Sequence, residues 1–312
     1  MTYSIVALDR ATGDLGVATQ SKFLAVGAVV PWAQAGVGAI ATQSFANVAY
    51  GPDGLTSLRA GLPAAEALAR LLAADELRDE RQVGVVDGDG GAATHTGRQC
   101  FAWAGGRTGE GFAAQGNILA GAAVVDGLAD TYLSGGRPFP ELLVACLAAA
   151  EAAGGDRRGR ESAALLIVRE GGGFGGGNDR WIDLRVDHHD DPVGELGRLL
   201  AYQRLYYDQP DPASLVPLDE PTAAEIRDTL LAIGGGPDGR FGRVYEPMFE
   251  PRPAAEPTPV VGEPRALPSN WDTAWERAFH DWLDAENLES CTTAPGWIDP
   301  RALGILRTRR PA

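Results

Sequence analysis

The strand-like segments of this sequence are apolar at consecutive positions rather than at alternate ones. AVGAVV (25–30) and AALLIV (163–168) leave no polar face to turn towards water. A sheet built from such strands must be covered on both sides. The strands also come in hairpins. YSIVAL (3–8) and LGVATQ (15–20) flank the turn DRATGD, and two more strands are predicted at about 26–33 and 36–43, with Gln34, Ala35 and Gly36 near the bend. The pattern turns helical from Gly51 to Asp75, with Pro63 where a first-turn proline is tolerated. RQVGVVD–GDGG–AATHTG reads as a second hairpin and FAAQGN (112–117) as a short strand. Helices are predicted over about 120–133 and 139–153, strands at 163–169 and 181–186, and a helix from Pro192 to Tyr207.

Hairpins argue for antiparallel pairing, and helices that come in pairs must cover sheet faces. Two stacked sheets with helices outside meet every one of these demands. The predicted fold class is therefore α+β, a four-layer αββα sandwich over residues 1–208. From Gln209 to Pro221 the text QPDPASLVPLDEP reads as a proline-rich linker. Residues 222–312 then read as a small, mainly helical domain. TAAEIRDTLLAIGG is one helix, a second proline-rich run follows from Glu246 to Pro268, and IDPRALGILR is the last helix. Between them, Trp271, Trp275, Phe279, Trp282 and Leu283 recur at spacings of three and four, the stripe of an amphipathic helix. Those tryptophans serve either a small core or, if exposed, stacking on sugars; the spacing favours the core.

Composition narrows the function classes. At 45% apolar the 312-residue chain is no disordered tract, and its formal charge of -15 leaves no broad basic surface for nucleic acid or an anionic membrane. Cys100, Cys146 and Cys291 are too scattered for a disulfide framework or a zinc site. There is no secretory signal and no long uncharged apolar run, so a cytoplasmic location is expected. The loop EGGGFGGGND leads into a strand and not a helix, which suits a hairpin better than a phosphate cradle. His188 and His189, beside Asp187, Asp190 and Asp191, would point to opposite faces of a strand, and DDP is a helix-starting sequence. His95 and His280 stand alone, and GxSxG is absent.

The N-terminus carries the chemistry. Thr2 follows the initiator methionine, a context that favours removal of Met1 and leaves an α-amine beside a hydroxyl. With a reference pKa near 7.7–8.0, such an amine is often neutral and can take the hydroxyl proton without a histidine. If DRATGD closes the first hairpin, paired residues have numbers summing to about 23, which sets Thr2 opposite Ser21 with Lys22 next in line. Lys22 is the only lysine; every other one of the 27 basic residues is arginine. An ammonium in that place would lower the pKa of the hydroxyl and of the amine.

These residues sit in a longer pattern. TYSIVA, GDLGVATQSKFLAVGAVVPWAQAGVGAIATQS, YGPDGL, GNILAG and GGDRRGRESAALLIVREGGGFGG resemble domain-of-unknown-function family 1028, grouped with the N-terminal nucleophile (Ntn) hydrolases, over about residues 1–207. WDTAWERAFHDWLDAENLE and GWIDPRAL resemble a peptidoglycan-binding module appended to that family. The resemblance implies an αββα fold and amide hydrolysis by Thr2 through an acyl-enzyme, with no metal or organic cofactor. Ser21 and Lys22 would take the polar end of the second strand. Thr42, Asn117 and Arg160 are motif residues expected near the substrate. Asn117 could donate to an oxyanion; Arg157, Arg158 and Arg160 could clamp a carboxylate, against a plain solvated loop for the first two. The expected partner is a small-molecule amide, with a glycan or peptidoglycan fragment at the C-terminal module and a homo-oligomer left open. The alternative is a non-catalytic scaffold that keeps the sandwich and uses the tail for glycan or partner contact.

Overall fold

The computed structural model describes residues 2–239 and 261–310 and divides into two compact units, Met1–Leu200 and Ala201–Ala312. Met1 and most of the proline-rich run 246–268 lie outside the described residues. The first unit holds two antiparallel sheets. The larger has six strands: β1 (Thr2–Leu8), β2 (Leu15–Ser21), β7 (Gly105–Gly109), β8 (Phe112–Asn117), β9 (Ser162–Val168) and β10 (Arg180–Val186), in the order β10-β9-β2-β1-β8-β7. The smaller runs β3 (Pro31–Gln34), β4 (Gly38–Ser44), β5 (Arg81–Asp87) and β6 (Ala92–Thr96), in sequence order.

Each sheet has a helix-covered face. Helices α3 (Ala122–Ser134) and α4 (Phe139–Ala152) bury Leu128, Leu143 and Leu147 with Tyr3, Ile5 and Leu165 of the larger sheet. Helices α1 (Tyr50–Arg59) and α2 (Ala64–Ala73) bury Leu55, Leu68 and Leu71 with Ile40, Val83 and Val85 of the smaller. The opposite faces meet, and Val6, Leu8 and Val17 share a core with Ala39, Ala41 and Val86. The consecutive apolar residues thus divide by alternation between a helix-facing and a sheet-facing core.

The helical stretch 51–75 is the expected pair of helices, broken at Gly61, which takes φ 88°, before Pro63 opens α2. Two segments differ from the sequence reading. The strand expected from 26 shortens to β3 because residues 25–30 turn onto β9, where the Val26 amide donates to Ser162 Oγ at 3.0 Å. And β7, five residues of which three are glycine and too weak a pattern to read as a strand, forms by pairing Gly105–Gly109 with β8.

The second unit begins within α5 (Pro192–Tyr207), whose Leu205 packs against its core. The proline-rich 209–221 stretch carries β11 (Val216–Pro217), paired with β12 (Trp297–Ile298). Around them α6 (Glu220–Ala232), α7 (Thr273–Ala285) and α8 (Pro300–Arg309) make a helical body. Asp219, Asp272 and Asp299 cap α6, α7 and α8 by accepting backbone N–H bonds. Trp271 and Trp282 are core residues, which removes them from any role in stacking on sugars. Among the described residues no helix is long and apolar enough to cross a membrane.

Candidate active site

The layer between the sheets changes character along its length. On β1 its side chains run Leu8, Val6, Ser4, Thr2, and on β2 Leu15, Val17, Thr19, Ser21. The same end of β8 supplies Gln115 and Asn117, that of β4 Gln43, and that of β5 Gln82, all buried. Buried amides and hydroxyls must satisfy one another, and these do. Ser4 Oγ donates to Gln43 Oε1 (2.6 Å), Gln115 Nε2 to Ser4 Oγ (2.7 Å), and Gln43 Nε2 to Gln82 Oε1 (2.8 Å). Asn117 Nδ2 also donates to Gln82 Oε1 (2.9 Å), and Gln82 Nε2 to the Gly116 carbonyl (2.7 Å). Gly84 leaves room for this network: a Cβ there would stand 2.1 Å from Gln115 Oε1.

Thr2 closes the polar end. It lies in the central strand of the larger sheet, level with Ser21 on one side and Asn117 on the other. Its Oγ1 donates to Ser21 Oγ at 3.0 Å, and its carbonyl accepts from Gln43 Nε2 at 3.2 Å. At 5% exposure Thr2 still lines a cleft of about 410 Å³, together with Phe23, Val26, Val29, Val30, Gln43, Ser44, Phe45, Ala46, Arg81 and Arg158. The cleft is thus fed by the β2–β3 connection, the end of β4, the start of β5 and the loop before β9.

Ion pairs brace its walls. Arg81 Nε donates to Asp75 Oδ2 (2.9 Å) and its Nη1 to the Phe45 carbonyl (2.6 Å), both side chains of the pair being 11% exposed. Burial would raise the Asp75 carboxyl, yet hydrogen bonds from Arg81, the Leu77 amide, Tyr50 and Asn47 outweigh it and hold it well below the usual carboxylate range. Arg158 grips the buried Asp156, whose other bond reaches the Lys22 amide (3.1 Å).

Strain gathers around Thr2. Ser44, at the cleft, takes φ 70°, and Ile118, directly after Asn117, takes φ 51°. A left-handed conformation is costly for a β-branched residue and persists where the surrounding structure dictates it, often at functional sites.

The sequence-selected residues divide into two groups. Thr2, Ser21 and Asn117 converge, Thr2 and Ser21 in the register expected for the hairpin and Asn117 through the pairing of β1 with β8. Lys22 alternates to the other face of the chain: its Nζ donates to the Arg160 carbonyl (2.9 Å) and to Glu161 Oε2 (2.7 Å). Hydrogen bonds from Lys22 and His188 lower the Glu161 carboxyl from its ordinary value. Arg160 turns its guanidinium to Glu151 (3.0 Å) and Asp191 (3.3 Å). Thr42 sits one residue off the inter-sheet face and donates to the Asn47 carbonyl (3.1 Å); its neighbour Gln43 is the residue that reaches Thr2. The sequence reading missed Gln43, Gln82 and Gln115. Their signal was polar residues gathered at one end of several strands, with the within-strand spacing of two seen in Thr2 and Ser4, Thr19 and Ser21, and Gln115 and Asn117.

Other motifs stay structural. His188 Nδ1 pairs with Glu161, and His189 Nδ1 accepts the Asp191 amide (2.9 Å). Among the described residues no cluster of three or more His, Cys, Asp or Glu side chains is placed to hold a metal ion. A wider depression of about 590 Å³ lies along α1 and α2, but its hydroxyls, Thr56 and Ser57, donate to the Pro52 and Asp53 carbonyls of their own helix.

Comparison with known proteins bears on the first unit. A crystal structure of protein SPO2555 from Silicibacter pomeroyi, assigned to the DUF1028 family, matches with a TM-score of 0.60 at 30% identity, over 65% of this chain and 89% of that one. No curated protein matches the chain. The model of a family of unknown function, DUF1028, matches residues 2–196, which is most of the first unit. The chain belongs to the DUF1028 family.

Proposed function

We propose that the first unit is an Ntn-type αββα sandwich and that the protein hydrolyses an amide bond in a small molecule with Thr2 as nucleophile. The observation that carries this is the Thr2 hydroxyl itself: almost buried, hydrogen-bonded to Ser21, in a central strand, and lining the cleft. The mechanism requires a free Thr2 α-amine, hence removal of Met1. That amine takes the hydroxyl proton as Oγ1 attacks the amide carbonyl carbon, and the tetrahedral intermediate forms. The C–N bond then breaks as the amine hands its proton to the leaving nitrogen. Water, giving its proton to the same amine, attacks the resulting Thr2 ester; the acyl C–Oγ1 bond breaks, the acid product leaves and the amine returns the proton to Oγ1.

The chain's own residues do the positioning. Gln43 holds the Thr2 carbonyl, Ser21 orients the hydroxyl, and Gln82 Oε1, which also accepts from Asn117, holds the Gln43 amide. Such second-layer support is what keeps a nucleophile within reach of a productive geometry. The C-terminal unit, whose sequence resembles a peptidoglycan-binding module, is read as an appended helical body. The test is mass spectrometry of the intact protein together with a threonine-directed electrophile. Loss of Met1 and an adduct on Thr2 are expected; an adduct that forms unchanged in Thr2→Ala places the nucleophile elsewhere and ends this reading.

A further inference from the structure

The guanidinium groups of the cleft are already engaged. Arg81 is held by Asp75 and by the Phe45 carbonyl, and Arg158 directs Nε and Nη2 to the two oxygens of Asp156 at 3.4 and 3.2 Å. Arginine recognises a carboxylate by offering its planar fork. In this cleft an incoming carboxylate would have to compete with two aspartates, one of them with no side-chain exposure.

What the cleft leaves open is apolar. Val26, Val29, Val30, Phe23, Phe45 and Ala46 make up its apolar lining. Phe23 and Phe45 are 55% and 56% exposed, and Phe101, 59% exposed, has its ring centroid 6.4 Å from that of Phe45. Two exposed aromatic rings lining one cleft, with a third beside Phe45, mark a surface that is covered in use. A volume near 410 Å³ falls within the range of small-molecule sites and is far too small for a folded partner. Arg81, through the Phe45 carbonyl, fixes the rim where Ser44 turns with positive φ.

We infer that the cleft takes an uncharged amide whose substituent is bulky and apolar, aryl or branched alkyl, seated against Phe23, Phe45 and Val30 with its carbonyl at Thr2. The placement of the carbonyl rests on the nucleophile reading of Thr2; the apolar seat has its own observations.

Full-length protein is treated with β-lactones bearing a phenylethyl or a carboxyethyl substituent, and adducts are followed by intact mass and peptide mapping. In each, Thr2 Oγ1 bonds to the lactone carbonyl carbon, the ring C–O bond breaks, and the hydroxyl proton ends on the released alkoxide. The phenylethyl probe is expected to label Thr2 at least about tenfold faster. In Phe23→Ala/Phe45→Ala, with its fold checked by circular dichroism, that ratio is expected to fall to near one. Equal or faster labelling by the carboxyethyl probe, or a ratio unchanged in the double variant, overturns the inference and leaves Thr2 as nucleophile. Calorimetry with 4-phenylbutyramide separates the two readings. Thr2→Ala is expected to bind it, and Thr2→Ala/Phe23→Ala/Phe45→Ala to lose that binding. If no lactone labels Thr2 yet the amide binds in this phenylalanine-dependent way, the nucleophile falls and the apolar seat stands; if the amide does not bind, the seat is refuted.

Discussion

Thr2 Oγ1 lies 3.0 Å from Ser21 Oγ, across adjacent strands whose register pairs the two residues directly. The hairpin alone sets this distance, because facing residues of an antiparallel pair bring their side chains onto the same side of the sheet. Thr2→Val keeps the β-branched shape and removes the hydroxyl. Under the proposed mechanism, turnover and covalent labelling should drop by about a thousandfold or more. The midpoint of thermal unfolding should move by only a few degrees, which separates lost chemistry from lost fold. Thr2→Ser, which keeps the oxygen, should retain measurable labelling.

Gln43 joins the two sheets. Truncation to alanine removes the acceptor of the Ser4 hydroxyl proton and the side-chain donor to the Thr2 carbonyl, and leaves Gln82 Oε1 with Asn117 alone. Unsatisfied buried groups of this kind cost about 1–3 kcal/mol, so urea denaturation of Gln43→Ala should show a loss of about 2 kcal/mol or more. Gln82→Ala should be non-additive with it, since the two amides bond directly. Strict additivity in the double variant would show that the network is not acting as a unit.

The Asp75–Arg81 pair predicts a pH dependence. Hydrogen bonds to Asp75 outweigh its burial and set its folded pKa below the unfolded value. The stability it contributes is therefore fully present above the unfolded pKa, about 3.9, and is lost as pH falls towards the folded value. The stability gap between wild type and Asp75→Asn should stay constant from neutral pH down to about pH 4 and shrink below it. A gap that instead closes between pH 7 and 5 would point to a different group. Because Arg81 also holds the Phe45 carbonyl, Asp75→Asn should in addition weaken binding of an apolar amide at neutral pH.

Trp282 has no exposed surface and stacks on Phe279 at 5.7 Å between ring centroids. Removing a ring of this size from a core costs about 3–5 kcal/mol. In the full chain, Trp282→Ala should lower the unfolding transition of the second unit and leave labelling at Thr2 unaltered. A matching loss of labelling would tie the two units together functionally.

Much of this molecule follows from local sequence. Consecutive apolar runs and turn residues mark the hairpins, and the six-residue turn DRATGD fixes the register that sets Thr2 against Ser21. The helical spacing of the tryptophans indicates a core, and that is where Trp282 of α7 and Trp271, just before its cap, lie. Such features depend on neighbours in the chain, so a one-dimensional reading reaches them. The contents of the cleft depend on which face of one sheet meets which face of another. Stacking brings Gln43 and Gln82 from the smaller sheet beneath Thr2, and the same alternation turns Thr42 and Lys22 away, although each is one residue from a group that faces it. Arg160 and Arg158 differ by two residues, yet only Arg158 lines the cleft, because Glu151 and Asp191 hold the other. Strand pattern says where side chains alternate; only packing between layers, which joins residues far apart in the chain, decides what each one meets.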